Sequence, residues 1–128
     1  MSSLRRNDLK PRIVLTEDDH RVLSALALTG TEAADDLLNE VERARVVPAA
    51  KLAPSVVKMG STVTYRPDNG AERTVQLVLP ADADIAQGKI SVLTPIGTAL
   101  IGLAVDQSIT WEARGGQKHV LTVVSVEG

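Results

Sequence analysis

The 128-residue sequence contains no cysteine and no phenylalanine. Without cysteine, disulfide scaffolds, thiolate zinc sites, iron–sulfur clusters and thiol nucleophiles are excluded. Aromatic residues make up 2% of the chain, namely Tyr65 and Trp111. A base-stacking surface or a ring-walled ligand pocket needs more flat side chains than that. An excess of one charge is also missing, since 14 Lys and Arg face 16 Asp and Glu for a formal net charge of -2. Affinity for a phosphate backbone comes from clustered cations, so sequence-specific nucleic-acid binding is not expected. No apolar run approaches the ~18 residues of a membrane span. The early basic residues Arg5, Arg6 and Lys10 are not followed by the apolar stretch of a signal peptide. The expectation is a cytoplasmic chain with no membrane partner.

What remains is a globular composition, with 44% hydrophobic and 23% charged residues. The length suits about one domain, and its core has to be built from Val, Leu, Ile and Ala. The chain divides near Pro48–Pro54, helical before and strand-like after. Residues 1–15 are expected as a tail ending in a short extended segment, 16–47 as a helical hairpin, 48–55 as a linker, and 56–128 as the main domain.

In the first half, Thr16 reads as a helix N-cap with Asp19 as its capping-box partner. Glu17, Asp18 and Asp19 suit the positive end of the helix dipole. Val22, Leu23, Ala25 and Leu26 form an apolar stripe, and Gly30 ends the helix. A second helix is expected from a Thr29/Glu32 capping box, with Ala34, Leu37, Leu38, Val41 and Ala44 as its stripe. Its remaining positions, Glu32, Asp35, Asp36, Asn39, Glu40, Glu42 and Arg43, are expected on the polar face. A tight Leu28–Thr31 connection predicts an antiparallel, short coiled-coil hairpin. Neither helix is long enough to stand alone in water.

In the second half, Thr62–Arg66 and Arg73–Leu79 alternate around Pro67-Asp68-Asn69-Gly70, a hairpin turn suited to positive φ. Lys89–Leu93 is another strand, after an acidic loop. Thr94-Pro95 opens a short helix, Thr as N-cap and Pro in the first turn, with Ile96, Ala99, Leu100 and Leu103 buried. Ser108–Glu112 and His119–Val126 close the sheet around a Gly115-Gly116 turn. The predicted fold class is α+β: an antiparallel sheet packed on one short helix, behind the helical hairpin.

Catalytic and metal signatures are absent. His20 and His119 have no triad spacing and there is no Gly-x-Ser-x-Gly elbow. Gly115-Gly116 lacks the ending of a phosphate loop. Asp82 and Asp84 are not continued by the ligands of a Ca²⁺ loop. No cofactor, metal or catalytic residue is assigned. The acids Glu32, Asp35 and Asp36 cluster at the expected hairpin tip, where the helix dipole alone would favour them and where Mg²⁺ held by another protein is the alternative reading.

Gly60-Ser61-Thr62-Val63-Thr64, Gly88-Lys89-Ile90-Ser91-Val92, Thr94 through Gly102, Val105-Asp106 and Gly115-Gly116 resemble, in order and spacing, the C-terminal domain of Gre transcript-cleavage factors. Leu38-Asn39-Glu40-Val41-Glu42-Arg43-Ala44 and the entry Val57-Lys58-Met59-Gly60-Ser61 are similar to the Rnk family, the regulators of nucleoside diphosphate kinase. The resemblance implies an FKBP-like C-terminal fold and bacterial RNA polymerase as partner. It also implies docking at the rim of the secondary channel by a turn that corresponds to Thr94, Pro95 and Ile96. Gre factors thread a long coiled coil to the catalytic Mg²⁺. Here an arm of about a dozen residues per helix spans only ~18–25 Å at ~1.5 Å per residue. The expected function is therefore non-catalytic: rim binding without transcript cleavage, in competition with longer channel-binding factors, as a monomer or weak dimer. Two alternatives differ in class. One is a peptidyl-prolyl isomerase, suggested by the fold alone. The other is an interaction module that dimerises through Leu23, Leu26, Leu37 and Leu38.

Overall fold

A computed structural model of the chain describes residues 9–113 and 115–128, so Arg5, Arg6 and Arg114 lie outside the described residues. Strand β1 (Val14–Thr16) leads directly into helix α1 (Glu17–Leu26). Thr16 caps it as expected, its side-chain oxygen accepting the Asp19 N–H at 3.1 Å. The Asp19 carboxylate, expected to complete a capping box, accepts the Met59 N–H instead. Helix α2 (Glu32–Arg43) follows after a short connection. Its cap is Thr31, which accepts the Ala34 N–H at 3.0 Å, and not Thr29, whose hydroxyl donates back to the Leu26 carbonyl. Both threonines can cap. Thr31 places Ala34, Leu37 and Val41 on the inner face, and all three are buried.

Strand β2 (Arg45–Val47) leaves α2 and pairs in parallel with β1. The main sheet contains β3 (Thr62–Pro67), β4 (Arg73–Val78), β5 (Lys89–Ser91), β6 (Ser108–Glu112) and β7 (Lys118–Glu127), in the order β5-β4-β3-β7-β6. The expected antiparallel sheet is corrected in one place: β5 runs parallel to β4, with Leu77 opposite Ile90. The acidic segment 80–88 is a crossover of two short 3-10 turns rather than a hairpin loop, so the chain returns to the sheet in the same direction. The β3–β4 hairpin forms as expected, with Tyr65 opposite Arg73. Its turn is wider than a two-residue Asn-Gly turn, and neither Asn69 nor Gly70 has positive φ. Asp68 is held from outside the hairpin, its N–H donating to the Val120 carbonyl on β7.

Helix α3 (Pro95–Leu100) packs between the sheet and α2. One contiguous aliphatic core joins the elements. Ile13 and Leu15 before α1, Leu23 on α1, and Leu37 and Val41 on α2 meet Val57, Leu100, Ile101, Leu103 and Ile109. Gly102 sits at the crossing of the two halves. It has φ +81°, and a Cβ there would come within 2.8 Å of the Ile13 side chain. The Val14 N–H donates to its carbonyl at 3.1 Å, and its own N–H donates to Val57. Among the described residues, no helix is long and apolar enough to cross a membrane.

Candidate functional site

The Thr94-Pro95-Ile96 turn is built by local hydrogen bonds. The Thr94 hydroxyl donates to the Ser91 carbonyl at 2.8 Å and accepts the Gly97 N–H at 3.0 Å. Thr98 donates to the Val92 carbonyl at 2.7 Å, and Ser91 Oγ accepts the Leu93 N–H. Gly97 permits this closeness, because a Cβ there would overlap the Ser91 carbonyl oxygen and stand 2.9 Å from Val92 Cα. Pro95 occupies the first helical turn, where it removes no needed donor. Thr94, Pro95 and Ile96 are half-buried.

Two cavities flank this turn. On one side, a groove of about 750 Å³ has a mostly apolar lining that includes Tyr65, Val75, Ile85, Ile90, Ile96 and Trp111, with Arg73 as its one charged residue. Ile85 is 86% exposed at it. Trp111 stacks at a tilt on His119, with ring centroids 5.2 Å apart, and its Nε1 is buried without an acceptor among the described residues. On the other side, a cleft of about 360 Å³ separates the start of α2 from the turn, with Glu32, Asp36, Thr94, Pro95 and Glu112 in its wall. A second cleft continues toward the end of α2, between Asn39, Glu40 and Arg43 and the surface of Ala99, Ile109 and Thr110.

The structure thus brings together two sets of residues that the sequence placed apart. Glu32 and Asp36 stand in the cleft that Thr94 and Pro95 line, and Asp35, also exposed, lies beside Asp36 on α2. Partial burial and the neighbouring Glu32, Glu112 and Asp35 push the Asp36 carboxyl above the usual aspartate range, against an opposing pull from Lys10. Among the described residues, no group of three or more His, Asp or Glu side chains is placed to hold a metal ion.

Sequence reasoning missed Glu112, Ile85 and the role of Glu40. Glu40 was expected on the solvated face and is 7% exposed instead. It accepts from Arg43 Nε and Nη2 at 3.0 and 2.7 Å, while Arg43 also donates to the Pro11 carbonyl. The spacing of Glu40 and Arg43 was a visible signal for the pair, but not for its burial. Leu23 and Leu37 are fully buried within the chain, so the four-leucine face on which a second copy would pair is not presented.

Comparison with known proteins agrees with this architecture. Residues 52–128 match the family described as transcription elongation factor, GreA/GreB, C-term. The regulator of nucleoside diphosphate kinase of Escherichia coli is 34% identical over 123 residues, covering 92% of this chain and 90% of that protein. The GreA transcription elongation factor of Rhodospirillum rubrum is 40% identical over 84 residues, 65% of this chain and 54% of its own length. Among solved structures, a GreA/GreB transcription elongation factor from Nitrosomonas europaea superposes with a TM-score of 0.74 at 38% identity, covering 93% of this chain and all of that one. A GreA/GreB-type C-terminal domain is thus the class of protein that fold and sequence define. With a match that covers 92% of its length, the chain belongs to the family of regulators of nucleoside diphosphate kinase.

Proposed function

We propose that this chain is a non-catalytic, cytoplasmic regulator of transcription that binds bacterial RNA polymerase through Thr94, Pro95 and Ile96 at the rim of the secondary channel. The FKBP-like reading of residues 56–128 is part of the same proposal. Membership of a family that shares its C-terminal domain with GreA and GreB supports the partner. A rigid turn, capped by Thr94 and free of a bulky side chain at Gly97, supports the contact point.

The observation that carries the absence of cleavage is the shared cleft of Asp36 and Pro95. Glu32 and Asp36 at the start of α2 stand beside the docking turn, not at the end of a projecting arm. The helix itself has 12 residues, and even laid outward it would span only ~18 Å. A carboxylate held next to a rim contact cannot also sit at a metal deep inside the channel. Such a protein occupies the channel mouth and excludes longer factors.

The test is capture of purified bacterial RNA polymerase by the wild-type chain and by Pro95→Asp, followed by a transcript-cleavage assay on stalled complexes. An aspartate suits the first turn of α3 but adds a fourth carboxylate to the cleft of Glu32, Asp36 and Glu112. The thermal midpoint is therefore measured alongside, and loss of capture at an unchanged midpoint reports the contact and not unfolding. Capture by wild type, loss in the variant and no cleavage is the expected result. Metal-dependent cleavage would promote Glu32, Asp35 and Asp36 to catalytic candidates, and absence of capture would remove polymerase as the partner.

A further inference from the structure

The Thr94–Pro95 ridge separates two cavities of opposite character, and both residues, with Ala113, line both. The apolar groove has the size of a ligand site, which commonly runs to about 300–1,000 Å³. Ile85 stands at it almost uncovered, and an exposed aliphatic of that size beside further apolar lining marks a contact surface. The cleft across the ridge has Glu32, Asp36 and Glu112 in its wall and no Lys or Arg among the described residues lining it. An anionic partner such as nucleic acid would be repelled there, and the acids are not grouped for a metal.

We propose that the polymerase segment received by this face carries an apolar side chain next to a Lys or Arg, the first seated in the groove of Ile85, Ile90 and Ile96, the second in the cleft of Glu32, Asp36 and Glu112. The inference rests on the polymerase reading and supplies the chemistry of the segment. Charge complementarity selects this occupant. An incoming cation relieves the mutual repulsion of three carboxylates, whereas a purely apolar segment would fill the groove and leave that repulsion in place. Among the described residues, the cations nearby are Lys10 and Arg43, which line the second cleft with Asp36, Lys118, opposite Glu112 across the β6–β7 pair, and Arg73, in the wall of the groove beyond the ridge. Complementary charge of this kind acts mainly on encounter rate and partner choice.

The experiment measures polymerase binding to the full chain across a salt series, for wild type, for Asp36→Asn/Glu112→Gln and for Ile85→Ser. At low salt the neutralised double variant is expected to bind roughly tenfold more weakly, with a flatter salt dependence. Its thermal midpoint is expected to be unchanged or higher, which separates lost contact from lost fold. Ile85→Ser is expected to weaken binding at every salt concentration and to keep the wild-type slope. Wild-type binding with undiminished affinity and slope in the double variant would overturn the inference and leave the polymerase reading intact. No wild-type binding would overturn both. A doubled mass in sedimentation that Ile85→Ser returns to monomer would overturn the inference in favour of a second copy over the groove.

Discussion

The carboxylate of Asp19 on α1 accepts the backbone N–H of Met59 at 3.0 Å, fastening the helical pair to the chain just before β3. The same residue gives its own N–H to the Thr16 cap, so one residue serves both the start of α1 and the junction between the two halves. Asp19→Ala removes a charge-assisted bond and leaves a backbone donor without its acceptor. A loss of about 1–2 kcal/mol in urea unfolding is expected, after discounting for partial exposure. Asp19→Asn keeps an acceptor oxygen and is expected to lose less. Equal losses in the two variants would show that the charge, not the hydrogen bond, matters there.

Gly97 is the position at which the turn is most vulnerable. Its missing Cβ leaves room for the Ser91 carbonyl and Val92 Cα, and the surrounding residues Val92, Thr98, Ala99 and Leu100 are buried. A methyl there has to push the backbone between β5 and α3. Gly97→Ala is expected to destabilise by about 3 kcal/mol, at the upper end of overpacking losses, against a gain below about 1 kcal/mol that Ala brings to an unobstructed helix. Chemical denaturation reads the sign directly. A neutral or stabilising result would mean that the turn is loose.

Leu37 on α2 is fully buried and belongs to the same core as Leu100, Leu103 and Ile109. Leu37→Ala is expected to cost about 2–5 kcal/mol. Because the core is contiguous, α1 and α2 are expected to melt together with the sheet in one transition. Helix content by far-ultraviolet circular dichroism and the fluorescence of Trp111, the only tryptophan, should therefore give coincident curves in wild type and variant. Separate transitions would show that residues 16–47 fold as an independent unit.

These cases mark what the sequence makes legible. The caps at Thr16 and Thr94, the β3–β4 hairpin and the closing strands depend on neighbours a few residues away, and pattern alone found them. The Thr31 cap was missed by two positions because Thr29 offers the same chemistry. Only the burial of Ala34, Leu37 and Val41 decides between them. The parallel entry of β5 depends on how segment 80–88 crosses over, and a strand of three residues carries no directional signal of its own. Glu40 and the Asp36–Pro95 cleft were illegible for a related reason. The groups that bury or surround them, Lys10, Pro11, Thr94 and Glu112, come from distant stretches that only tertiary packing brings together.

Asp36 provides a pH dependence with a definite sign. Burial first, then Glu32, Glu112 and Asp35, raise its folded-state pKa above the 3.8 of an ordinary aspartate, while Lys10 lowers it. The folded chain then holds this proton more tightly than the unfolded chain does. The contribution to stability is fully present below the unfolded value and is lost as pH rises through the raised folded value. Above that value the ionised carboxylate sits among like charges and weakens the fold. Asp36→Asn is therefore expected to be more stable than wild type at neutral pH, with the difference shrinking as the pH is lowered into the range where Asp36 is protonated. Urea midpoints of the two proteins across an acid-to-neutral series measure this. The difference between the proteins isolates Asp36 from the other carboxylates, whose own titration is common to both. A variant less stable than wild type at neutral pH would mean that the Asp36 carboxylate is held by an attraction, such as that of Lys10, stronger than the repulsion of its neighbours.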